Sequence, residues 1–273
     1  MLMKRKLLKP YLFVLPAVLT SVLSFGQEKI YYANQKQTAE NYSVEISNIV
    51  GLATEIKFKL EIENTSSEFL LFDASKCVFT INGATVTPKD KFIIIEPYKK
   101  KSKTIVALGS GYNNVRDFKF ELNGVQRVVP TEEKFPVSAF TFPPSKNDFS
   151  TGDFYVELKG FKKETGATTS KFNVQYKGKK IGFVSPSKIS VLMPDGKEYA
   201  NGKKTDPILL FPGGTDSFSA NWERMPGGSL NDMQKVEMNL NFTDVFTEAV
   251  TVDLSAQSFS FSWDEALTKE KNK

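Results

Sequence analysis

The chain carries a diverged copy of itself, and that repeat limits what it can fold into. Residues 73–108 read as a β-strand, a polar turn, a second apolar strand, a proline-marked corner and a third strand, and residues 185–222 repeat that order. Matching blocks continue on both sides. Val44-Glu45-Ile46 is answered by Val156-Glu157-Leu158, residues 57–62 by 171–176, and Ser75-Lys76-Cys77 by Ser187-Lys188-Ile189. The turn Asn82-Gly83 is answered by Pro194-Asp195-Gly196, residues 93–97 by 208–212, 118–122 by 236–240, and Phe140-Thr141-Phe142 by Phe259-Ser260-Phe261. A period above 100 residues marks repeated domains; solenoid units recur every ~20–50 residues.

The blocks themselves read as strands. Residues 54–63 alternate, with Ile56, Phe58, Leu60 and Ile62 on one face and Glu55, Lys57, Lys59, Glu61 and Glu63 on the other. That is the period-two signature of a half-buried strand. Asn82-Gly83 is a hairpin signal, and 23 Phe against 6 Met with many Thr, Val and Ile lean the same way. The expected fold is all-β: two tandem immunoglobulin-like antiparallel β-sandwich domains after an N-terminal signal peptide. The expected boundaries are signal 1–26, lead-in 27–41, first sandwich 42–143, linker 144–152, second sandwich 153–263 and charged tail 264–273. Residues 137–142 are expected to complete the first sandwich of about seven strands, and the Pro143-Pro144 segment to stiffen the link.

A family resemblance rests on the same landmarks: an alternating strand ending in Asn64-Thr65-Ser66, a hairpin carrying Asn82-Gly83 or Asp195-Gly196, an apolar strand closed by Pro97 or Pro212-Gly213-Gly214, then an outgoing strand. In both repeats the pattern resembles the immunoglobulin-like sandwich of bacterial exported domains of unknown function, related to the LEA14-type sandwich. The resemblance implies a mostly non-catalytic protein and carries over no functional residue.

Residues 1–26 read as a secretory signal. MLMKRKLLK is a basic start, YLFVLPAVLTSVL an apolar core of signal-peptide length, and Ser24-Phe25-Gly26 predicts cleavage between Gly26 and Gln27. The expected location is periplasmic, outer-surface or secreted. That leader holds Lys4, Arg5, Lys6 and Lys9 and no acid, so its removal takes the formal charge from +5 to +1. A nearly neutral chain gives no support for nucleic-acid binding.

The chemistry is bounded by what is missing. There is no histidine, which removes Ser-His-Asp and Cys-His catalysis. Cys77 is the single cysteine, so no internal disulfide forms, and its apolar neighbours Val78 and Phe79 suit a buried thiol. Asp148 with Asp153, and Asp195, Glu198 and Asp206, lack the spacing of a calcium loop. No cofactor or metal is expected. The candidate partner surface is Tyr98, Lys99, Lys100, Lys101 and Lys103 with Tyr112, aromatic and basic residues flanking one strand. The expected function is a non-catalytic binding or structural module of the cell envelope, using sandwich-end loops or an exposed sheet surface on a protein or glycan. The alternative is an inhibitor or chaperone-like subunit of another exported protein, with a hydrolase as the remote alternative. Trp222 and Trp263 are expected to fill the second core.

Overall fold

The computed structural model describes residues 29–89, 92–137, 140–223 and 232–273. The expected signal peptide and its cleavage point lie outside the described residues. Among those residues, no helix is long and apolar enough to cross a membrane.

The chain is all-β with one short helix. Its first half runs β1 (Ile30–Tyr32), β2 (Gln35–Thr38), β3 (Tyr42–Gly51), β4 (Glu55–Asn64), β5 (Phe69–Asp73), β6 (Val78–Ile81), β7 (Ala84–Val86), β8 (Phe92–Ile95), β9 (Lys100–Leu108), β10 (Asp117–Leu122), β11 (Val125–Lys134) and β12 (Phe140–Phe142). The second runs β13 (Asp148–Thr151), β14 (Phe154–Glu164), β15 (Ala167–Tyr176), β16 (Ile181–Val184), β17 (Ser190–Leu192), β18 (Glu198–Ala200), β19 (Ile208–Leu210), β20 (Thr215–Glu223), β21 (Met238–Asn241), β22 (Phe246–Asp253) and β23 (Gln257–Ser262). Helix α1 (Glu265–Lys271) ends it.

Two large cores form, and each takes its last strand from the other half of the sequence. The sheet β3-β4-β9 shares one core with β7-β6-β10-β23, and the sheet β13-β14-β15-β20 shares the other with β18-β17-β21-β12. Strand β23 pairs with β10, Phe118 opposite Phe261 and Phe120 opposite Phe259. Strand β12 pairs with β21, Phe142 opposite Met238 and Phe140 opposite Leu240. The expectation that Phe140 and Phe142 complete the first sandwich is therefore corrected: they are buried in the second core, and Phe259 and Phe261 in the first. Either Phe-x-Phe strand offers the same apolar face, so alternation alone cannot say which core it enters. The segment 144–152, expected to link two domains, contains strand β13, and β13 and the preceding β12 are both built into the second unit.

A third sheet ties the units together, in the order β19-β16-β22-β11-β5-β8. Strands β11 and β22 meet antiparallel at its centre, Val129 opposite Val250. One face covers the two large cores through Leu70, Phe72 and Val125 at one end and Val184, Leu210 and Phe246 at the other. The opposite face holds a smaller cluster of Phe69, Leu71, Val128 and Ala249. Six flat strands would hold their edges about 24 Å apart. Phe92 in β8 and Phe211 beside β19 nonetheless touch, with ring centroids 5.6 Å apart. The sheet is curled around that cluster.

The C-terminus closes the first unit. Asp264 caps α1 by accepting from the Leu267 amide at 2.9 Å, and Thr268 Oγ1 accepts from the Tyr31 amide and the Trp263 indole, each at 2.9 Å. Trp263 bridges to Tyr32, so it serves the first core and corrects the expectation that it fills the second. Trp222 is buried in the second core. The ladders also adjust the repeat register. Val44 faces Ile62 and Val156 faces Val174, so Ile62 corresponds to Val174, two residues from the sequence match with Tyr176. A slip of two keeps every side chain on its face, which is why the pattern did not reveal it.

Candidate functional site

The aromatic and basic residues expected to form one surface are spread apart. Tyr98 precedes β9 and is 69% exposed, whereas Tyr112 follows β9 in a short 3-10 turn (Tyr112–Asn114) and is only 8% exposed. Nine strand residues separate them by about 30 Å. Tyr112 packs into the first core over Gly51 and Gly109 and donates its hydroxyl to the Leu108 carbonyl at 3.4 Å. It is a core residue.

The lysines divide as well. Lys100 lies opposite Glu63 on the outer face of β4–β9, while Lys101 and Lys103 lie opposite the buried Ile62 and Leu60. Lys100 pairs with Glu61 at 3.2 Å and Lys101 with Glu96 at 3.8 Å. Strand β9 is a sheet edge. Inward-aimed charges on an edge discourage another chain from pairing with it. Tyr98 sits at φ +56°, and the matching turn of the second unit has Gly213 at φ +78°. A left-handed tyrosine carries a steric cost that glycine avoids.

Two of the acidic residues weighed as metal ligands, Asp195 and Glu198, have local duties. Asp195 Oδ1 accepts from the Lys197 amide at 3.0 Å, an Asx turn. Glu198 Oε1 accepts from Ser190 Oγ and from Asn241 Nδ2, which holds its carboxyl below the usual range. Among the described residues no three Asp, Glu or Cys side chains converge as a metal site would require. Burial pushes the Cys77 thiol up to about 12, and its Sγ lies 3.2 Å from the Asn123 carbonyl.

The fold creates a surface that no sequence pattern marks. On the outer face of β14, β15 and β20 lies an open trough of about 530 Å³. Its floor is Gly160, where an added Cβ would meet nothing within 4 Å. A bulge in β14 between Leu158 and Gly160 sets that position opposite Lys171, and Lys171 in turn faces Ser219. Lys159, Lys162, Lys171 and Lys203 line the trough together with Thr169, Ser219 and Asn221, and no acidic residue does. Lys159 pairs with Glu157 and Lys162 with Glu164, each at 2.5 Å. Among the described residues no carboxylate pairs with Lys171 or Lys203. Phe161, opposite the buried Ser170, turns to the other face of the sheet, where it is 41% exposed and stacks at 5.0 Å on the buried Phe142 of the exchanged strand β12. In the first unit the corresponding face alternates lysine with glutamate, Lys57 with Glu55 and Lys59 with Glu61, and neutralises itself.

No family model and no curated protein sequence matches the chain. Among solved structures, red sea bream transglutaminase is similar at 10% identity and a TM-score of 0.20, over 81% of this chain but 31% of the transglutaminase. AerE from Microcystis aeruginosa is similar at 7% identity and a TM-score of 0.12, over 88% of this chain and 100% of AerE.

Proposed function

We propose that the chain is an exported, non-catalytic binding module of the cell envelope, and that it holds its ligand in the trough over Gly160. In this reading each unit is an immunoglobulin-like sandwich whose final strand comes from the other repeat. The order β3-β4-β9 against β7-β6-β10-β23, with the same order in the second unit, supports that topology. The observation that carries the function is the trough itself: a concave surface with no acid in its lining, where Lys171 and Lys203 pair with no carboxylate among the described residues, whereas Lys57 and Lys59 on the other unit's face are both paired. The reading of an inhibitor acting through a free edge strand is less favoured, because lysines guard β9 and a loop occupies the edge of β20.

The test uses the Gly160→Trp variant. Its new side chain enters open space at an unstrained strand position, so the fold should be kept. The immobilised exported chain is expected to retain cell-envelope material that the variant does not. Equal retention by both would overturn the reading.

A further inference from the structure

We infer that the trough takes an anionic polysaccharide, a hydroxyl-rich chain carrying carboxylate or sulfate groups; this rests on the binding-module reading above. Charge sets the sign. Four lysines line the trough, none of its lining residues is acidic, and Lys171 and Lys203 have no carboxylate partner among the described residues. An anionic ligand supplies the missing counter-charges.

Backbone chemistry then argues against a peptide. Strand β15 is flanked on both sides by β14 and β20, so its ladder is full. The outer edge of β20 is occupied beside the trough. Asn201 Oδ1 accepts from the Asn221 amide at 2.9 Å, Asn201 Nδ2 donates to the Ser219 carbonyl at 3.4 Å, and the Gly202 amide donates to the Asn221 carbonyl at 2.8 Å. Along β15 and β20 an extended peptide therefore finds no free edge on which to add as a strand. Recognition is left to side chains on the face: ammonium groups for anions, and the hydroxyls of Thr169 and Ser219 for sugar hydroxyls.

The probes are polygalacturonate, neutral dextran and poly-glutamate, with binding read by affinity electrophoresis and calorimetry. The exported chain is expected to bind polygalacturonate at low salt and to lose affinity as the Debye length shortens, from about 30 Å at 0.01 M to about 10 Å at 0.1 M. Gly160→Trp is expected to abolish this binding. Lys171→Ala with Lys203→Ala is expected to weaken it about tenfold, the loss of two modest charge contacts. Substituting Lys99, Lys100, Lys101 and Lys103 by Ala is expected to leave it unchanged. Equal binding of dextran, blocked by Gly160→Trp, would overturn the charge inference and leave the trough reading intact. Poly-glutamate binding as tightly, with the same sensitivity to Gly160→Trp, would overturn sugar recognition. Absence of polygalacturonate binding, alongside envelope material retained only by the unsubstituted chain, would overturn the inference alone. Polygalacturonate binding that survives Gly160→Trp would overturn the trough as the site.

Discussion

Truncating one phenylalanine from the second repeat should open the first sandwich. Phe261 is 2% exposed, stacks on Phe118 at 4.8 Å and lies 6.3 Å from Phe58, all within the first core. Phe→Ala in such a site costs about 3–5 kcal/mol, the lost transfer energy plus the cavity. A single domain holds only about 5–15 kcal/mol in total. The protein carries a reporter for each core: Cys77 is fully buried in the first, and Trp222 is buried in the second. Thiol labelling under native conditions follows opening of the first core, since the buried thiol is held neutral. At 1.4 kcal/mol per decade, Phe261→Ala should speed labelling of Cys77 by roughly 100- to 3,000-fold. In a Trp263→Phe background, the denaturant midpoint read from Trp222 should shift far less. Phe142→Ala should do the reverse, moving the Trp222 transition and sparing Cys77. If Phe261→Ala instead moves Trp222 and leaves the labelling rate alone, each sandwich is built from contiguous sequence and the exchange is wrong.

Three single positions carry further outcomes. Glu248 accepts from Lys180 Nζ at 2.5 Å and from the buried Tyr176 hydroxyl at 2.8 Å; the Lys180 contact chiefly lowers its pKa. A carboxylate held below its unfolded pKa contributes stability that is present above the ordinary carboxylate range and lost as pH falls through the folded value. Urea midpoints should therefore drop on acidification below about pH 4.3, and less so in Glu248→Gln; an unchanged slope would remove Glu248 from the account. At Gly182 an added Cβ would lie 2.7 Å from Tyr176 Cγ and 2.9 Å from Phe154 Cε1, so Gly182→Ala should cost about 1–3 kcal/mol in chemical unfolding. Gly160→Ala, in open space, should cost nothing.

The hairpin at Asn82 and the alternation of β4 were legible because each is a local pattern, and the pairing and burial bear them out. The strands that join the units were not. In β11 the run VQRVVP breaks period two and contains Pro130. In β22 the run EAVTV is buried at one end and exposed at the other. Neither carries a clean signal, because each lies against different surroundings along its length. Exchange of β12 and β23 was invisible for the opposite reason: their patterns are so alike that either fits either core. The trough was hidden because it is made by an absence, a glycine beside a bulge, and because its lysines come from three separate segments. By contrast the adjacent lysines at 99–101 stood out in sequence, yet strand alternation sends Lys100 and Lys101 to opposite faces.

A chain made of two similar halves risks pairing a strand with its counterpart's partner, a characteristic failure of repeat proteins. Two ion pairs oppose that error. In the first unit Arg127 on β11 reaches Glu68 beside β5, at 3.4 Å; in the second, Glu248 on β22 reaches Lys180 beside β16, at 2.5 Å. The ladders place Arg127 opposite Leu70 and Glu248 opposite Gly182, so these are equivalent sites with their signs reversed. Correct pairing joins opposite charges twice. Mispairing β11 with β16 would set Arg127 beside Lys180, and β22 with β5 would set the largely buried Glu248 beside Glu68. Like charges facing across strands cost roughly 0.2–1 kcal/mol at partly exposed positions and more where one is buried. Reversing the first pair, with Arg127→Glu and Glu68→Lys, makes the two units alike. Native stability should barely change, since a partly exposed pair is replaced by another. The yield of native protein on refolding from urea should fall, with misassembled or aggregated chains in its place, as size-exclusion chromatography would show. An unchanged yield would mean that the reversed signs play no part in choosing partners, leaving turn geometry and side-chain shape to make that choice.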